Sequence, residues 1–109
     1  MAKNAETDGL LEIDGSIEVA PRQKIKRPKL YKVVLFNDNY TTMEFVVDIL
    51  VSIFNKTGAD ANRIMLEVHK RGKGVCGIYT YDIAHTKTNQ VRRYAILNEF
   101  PLRCEVEEA

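Results

Sequence analysis

The chain has 109 residues, is 45% hydrophobic and 28% charged, and carries a net charge of +1. That length supports one small domain with its own core and is too short for two. The near-neutral total removes any composition-level case for nucleic-acid binding, and no apolar run approaches the ~20 residues that span a bilayer.

The charge is unevenly placed. Residues 1–20 have a net charge of −4, residues 21–32 of +6, and residues 33–109 of −1. Residues 1–29 contain Gly9, Gly15, Pro21 and Pro28 and show no sustained hydrophobic period, so a flexible N-terminal extension is expected there. Its acidic start lacks the apolar stretch of a secretion signal, and a cytoplasmic location is the expectation. A folded core domain is expected over residues 30–109.

The run from Leu30 to Phe36 is rich in strand formers and stops at Asn37-Asp38-Asn39, residues that favour turns. Thr41 and Glu44 have capping-box spacing. Phe45, Val46, Ile49, Leu50, Ile53 and Phe54 then recur at helical spacing, and Gly58 is expected to end that helix. A second helix is expected from an Asp60 cap to Gly72, with Ile64, Met65 and Val68 inward and Lys70 and Arg71 complementing the dipole of its last turn. Gly72-Lys73-Gly74 reads as a turn and residues 75–80 as a strand. Asp82 is a candidate cap for a third helix ending near Asn98, with Ile83, Val91, Tyr94 and Ala95 inward. Pro101 blocks its continuation, and residues 102–107 alternate as an open-faced strand should. The order β-α-α-β-α-β predicts a small α/β sandwich, a three-stranded, mainly antiparallel sheet covered by helices.

Chemistry-bearing sets are sparse. No nucleophile–base pair or carboxylate pair stands out, so an enzyme is not expected. Cys76 and Cys104 read as reduced strand residues. With His69 and His85 they lack metal-site spacing, and no metal or cofactor is expected. The suggestive cluster is the strand-to-helix junction Asn37, Asp38, Asn39 and Thr41. If the face of the second helix bearing Met65, Val68 and His69 packs near it, a pocket results. Its floor would be Met43, Val46, Met65 and Val68, its rim Asn37, Asp38 and His69. Apolar walls with a few placed acceptors suit a ligand ammonium next to a hydrophobic side chain. Each element also has a plainer reading as turn, cap or core. The residues alone reach a small α/β binding module.

The run Tyr31-Lys32-Val33-Val34-Leu35-Phe36-Asn37-Asp38-Asn39-Tyr40-Thr41-Thr42-Met43-Glu44-Phe45-Val46-Val47 closely resembles the signature of the bacterial ClpS adaptor family. So do Met65-Leu66-Glu67-Val68-His69 and Asn98-Glu99-Phe100-Pro101-Leu102-Arg103-Cys104, in order and with the expected spacing across roughly residues 28–108. The resemblance implies a non-enzymatic adaptor for N-end rule degrons. Such an adaptor binds proteins that begin with Phe, Tyr, Trp or Leu and hands them to the ClpA unfoldase of the ClpAP protease.

By matching position, the resemblance implies that Asn37 and His69 bind the substrate's α-amino group, with Asp38 assisting. Thr41, Met43, Val46, Met65, Val68 and Leu102 would line the side-chain pocket, with Met43 rejecting β-branched residues. Asp82 and Lys87 would meet the unfoldase. Asn39 stands where the family usually has a second acid that contacts the amine, so a charge-assisted bond is replaced by a neutral one. Thr42 replaces a frequent Pro. Asp82 stands where Glu is common, and His85 where an acid is. Two rivals remain: an interaction module like the ribosomal stalk protein's C-terminal domain, without an amine pocket, and RNA binding through residues 22–32.

Overall fold

The computed structural model describes residues 27–109. The expected extension over 1–29 therefore lies, for residues 1–26, outside the described residues. The elements are β1 (Tyr31–Phe36), α1 (Met43–Ser52), α2 (Gly58–Arg71), β2 (Lys73–Tyr79), α3 (Tyr81–Leu97) and β3 (Arg103–Glu108). The sheet has the order β2-β1-β3 and both pairings are antiparallel, as the β-α-α-β-α-β order predicts. No described helix is long and apolar enough to cross a membrane.

β1 is central because it is the most apolar strand. Val33 and Leu35 are fully buried beneath the helices and share one core with Cys76 of β2 and Cys104 of β3. The helices all lie on that face: α2 over β2, α3 over β3 and β1, and α1 against α2. Cys76 is the extra residue of a bulge, since Val33 pairs with Gly77 and Val34 with Val75. Both cysteines are free and buried. Burial pushes the Cys104 thiol up to about 11, against the pull of Thr88 and Arg92. Burial, with Cys104 close by, raises Cys76 as well. Both thiols are therefore masked.

Several local expectations shift by a residue or more. The cap of α1 is Thr42, whose hydroxyl accepts from the Phe45 N–H at 3.1 Å. Thr41 is unavailable because its hydroxyl is bonded to Asp38. α1 stops at Ser52, well short of Gly58, and Phe54 leaves the helix to enter the core. The Lys87 ammonium closes the frayed end by donating to the Ile53 carbonyl at 2.8 Å. Gly58 opens α2, capped by Thr57 accepting from the Asp60 N–H at 3.1 Å, so Asp60 is a first-turn acid and not the cap. α3 starts after Thr80, with Asp82 in its first turn. Its buried stripe is Ala84, Thr88, Val91 and Ala95, because a helix this close to the sheet admits small residues there. Ile83 faces solvent, while Tyr94 lies over the surface, stacked on Phe45 at 5.4 Å with its hydroxyl donating to Asp48 at 2.9 Å. At the outer strand, Arg92 donates to the Cys104 carbonyl at 2.9 Å and reaches Glu105 at 3.1 Å.

The Gly72-Lys73-Gly74 stretch is the junction of α2 and β2 and not a free turn. Gly72 ends α2 at φ 91°, a left-handed conformation that suits glycine. Lys73 and Gly74 already pair with Phe36 and Leu35 of β1. A Cβ on Gly74 would stand 2.9 Å from Val68 Cγ2 and 3.4 Å from the Ile64 carbonyl. The absent side chain is thus what lets α2 lie directly on the sheet. Gly74→Ala is expected to cost about 1–3 kcal/mol by overpacking. Gly58→Ala meets nothing within 4 Å and is expected to be neutral or to stabilise by up to about 1 kcal/mol. Denaturant titrations of the two variants check both.

Candidate functional site

The site begins where β1 runs out. The Asn37 N–H donates to the Gly72 carbonyl at 2.9 Å, extending the β1–β2 ladder by one rung. This bond sets the start of the 37–42 loop beside the end of α2. The loop then folds around Asp38. One carboxylate oxygen accepts from the Tyr40 N–H at 2.8 Å and the Thr41 N–H at 2.7 Å, and the other from the Thr41 hydroxyl at 2.7 Å. Burial raises the Asp38 pKa, but the Thr41 and Tyr40 hydrogen bonds outweigh it and hold the carboxyl below its ordinary value.

Loop, α1 and α2 enclose a pocket of about 420 Å³, lined by Asn37, Asp38, Asn39, Tyr40, Thr41, Thr42, Met43, Val46, Met65, Val68 and His69. That is toward the small end of the about 300–1,000 Å³ common for ligand sites. Val46, Met65 and Val68 are buried and form the floor; Met43 is 43% exposed and stands at the mouth. Asn37, Asn39 and His69 are exposed on the rim. The lining contains no Lys or Arg, and its one acid already holds the loop. Acceptors around an apolar floor suit a small cationic head on a hydrophobic side chain. A hollow of about 570 Å³ between α1 and α3 is larger, but none of its lining residues is buried. It lacks the apolar floor that gives a ligand most of its binding energy.

The fold therefore brings together nine of the ten residues expected at a ligand site. Leu102 is the exception: it is buried in the core and does not line the pocket. Asp82 and Lys87 lie away from it on α3. Asp82 is exposed, whereas the Lys87 ammonium is held by the Ile53 carbonyl and lies 5.8 Å from the Phe54 ring and 5.4 Å from the Tyr79 ring. Tyr40 and Thr42 line the pocket without having been singled out as site residues. Their only signal was membership of the Asn-Asp-Asn-Tyr-Thr-Thr run. Among the described residues no His, Cys, Asp or Glu cluster could hold a metal ion.

Asp38→Asn keeps the shape of the loop but removes the charge and replaces one acceptor oxygen with a donor. The expected loss is about 1 kcal/mol of stability at neutral pH. Because the folded-state pKa is depressed, this contribution is full above the unfolded value of about 3.9 and fades as pH falls through the lower folded value. Unfolding curves of parent and variant should therefore differ at pH 7 and draw together as pH falls below the ordinary carboxylate range.

Comparison with known proteins fits this geometry. A family model described as the ATP-dependent Clp protease adaptor protein ClpS matches residues 26–105. The ATP-dependent Clp protease adapter protein ClpS of Syntrophus aciditrophicus is 52% identical over 103 residues, covering 94% of this chain and 96% of that one. The protein of the same description from Acetivibrio thermocellus is 60% identical over 82 residues, covering 75% and 83% of the two chains. Among solved structures, Agrobacterium tumefaciens ClpS2 bound to L-phenylalaninamide superposes with a TM-score of 0.73 at 37% identity, covering 76% of this chain and 100% of that one. The chain belongs to the ClpS family of ATP-dependent Clp protease adaptors, which are not enzymes.

Proposed function

We propose that the pocket receives the first residue of polypeptides that begin with Phe, Tyr, Trp or Leu, and that the protein delivers them to the ClpA unfoldase of ClpAP. The observation that carries this reading is the pocket's pairing of a buried apolar floor with a rim of acceptors and no cation. The ligand of the related ClpS2, L-phenylalaninamide, pairs a free α-amine with a Phe side chain and so mimics such a terminus.

In this reading Asn37 and His69 accept from the α-ammonium, as does Asn39 through its amide oxygen. Asp38 mainly holds the loop that aims them and supplies the local negative charge. Thr41, Met43, Val46, Met65 and Val68 surround the side chain, with Leu102 packed in the core. In this reading Met43, at the mouth, is the gate that rejects first residues branched at Cβ. Burial of a Phe or Leu side chain contributes about 1.5–3 kcal/mol, and each bond to the ammonium about 1.5–3 kcal/mol at best. An acetylated terminus leaves the acceptors unpaired and is rejected for that reason.

Fluorescence anisotropy with short peptides tests the pocket. Peptides with free N-terminal Phe or Leu should bind; acetylated or Val-initial versions should not. His69→Ala should weaken Phe-peptide binding about ten-fold, as loss of one such bond implies. Equal affinity for the acetylated form would overturn the reading. Delivery is tested separately, with a Phe-initial substrate and ClpAP. The protein should speed degradation, and Asp82→Arg and deletion of residues 1–20 should each slow it while peptide affinity stays within two-fold of the parent; unimpaired degradation in both variants would remove those residues from the delivery reading, and degradation no faster with the protein than without it would remove delivery itself.

A further inference from the structure

Tyr40 is 77% exposed, the most open of the exposed large hydrophobic side chains among the described residues. Its ring enters none of the aromatic pairs found among those residues. Yet its backbone is tied down, with the N–H held by Asp38 at 2.8 Å and both polar groups of Thr41 held by the same carboxylate. The turn uses only the backbone of residue 40, so any non-proline residue would close it. Nothing in the fold calls for an aromatic ring there. Tyr40 is one of the residues that line the pocket, on the loop at its mouth, and its ring is open to solvent there.

A ligand whose first side chain fills the apolar floor leaves the rest of its chain outside the pocket, where this loop carries an exposed ring. We propose that Tyr40 is a specificity-determining residue that reads the second residue of the bound chain, packing its ring on that side chain and favouring Arg or Leu over Gly and Asp. The inference rests on the reading of the pocket as a site for a polypeptide's first residue. A guanidinium stacks well on a tyrosine face, and the protein already makes the equivalent contact where Arg103 lies 4.3 Å from the Phe36 ring centroid. An acid at the second position would meet the Asp38 carboxylate at the base of the same turn, and the lining offers it no Lys or Arg.

The test uses the full chain and four labelled peptides that share a free N-terminal Phe, followed by Arg, Leu, Gly or Asp. The parent should bind the Arg and Leu peptides about two- to five-fold more tightly than the Gly peptide, and the Asp peptide least well. Tyr40→Ala should bring the Arg-to-Gly and Leu-to-Gly ratios close to one, and Tyr40→Phe should preserve them. Because each ratio is taken within one variant, a general change in affinity or folding cancels. A ratio unchanged in Tyr40→Ala, or no difference between Arg and Gly in the parent, overturns the role of Tyr40 while leaving the pocket reading intact. Failure of the parent to bind any of the four peptides overturns both.

Discussion

The 2.9 Å bond from the Asn37 N–H to the Gly72 carbonyl is one backbone interaction, yet the whole site hangs on it. It makes two chain ends coincide: the exit of β1, which carries the polar loop, and the exit of α2, which carries Met65, Val68 and His69. It sets the amides of the loop beside His69, over an apolar floor that α1 and α2 share. The bond depends in turn on Gly72, whose left-handed backbone turns α2 into β2 with no intervening loop, and on Gly74, whose missing Cβ lets α2 settle on the sheet. A rigid β1–β2 ladder thus becomes a fixed distance between rim and floor.

Within that frame Asp38 acts inwardly. An acid beside a pocket that suits a cation invites the idea of direct pairing, but both of its oxygens are engaged by Tyr40 and Thr41. The consequence is a loop whose conformation is set before any ligand arrives, so less ordering entropy opposes binding. The charge stands in the lining of the pocket. The neutral amides of Asn37 and Asn39, free of that structural duty, are the groups left pointing outward on the rim.

Much of this was legible in the sequence, for reasons that differ by element. β1 could be read because a dense apolar run bounded by Asn-Asp-Asn has few other fates. The end of α2 could be read because basic residues followed by glycine mark a helix terminus. The floor of the pocket followed from the four-residue spacing of Met65 and His69. What escaped depended on competition or on tertiary contact. Thr41 and Thr42 are equally good caps in isolation, and only the Asp38 carboxylate decides between them. Gly58 and Gly74 looked like breakers, but one opens a helix and the other permits a close approach. The inward stripe of α3 includes the expected Val91 and Ala95, but its other members are Ala84 and Thr88, which no hydrophobic count would choose over Ile83 and Tyr94. Leu102 and Lys87 show the same limit: proximity along the chain does not tell which side chains the fold has already committed.

The outer strand β3 carries one more consequence. It has a neighbour in the sheet on one side only, and a strand of that kind can pair with any extended polypeptide. Arg92 occupies the Cys104 carbonyl, and Glu105, Glu107 and Glu108 place acids along the strand. An adaptor of a protease system works among chains that are being unfolded, where adventitious β-pairing would lead to co-aggregation. The guanidinium and the acids make this edge a poor template for that reaction, a guard built into the boundary of the sheet.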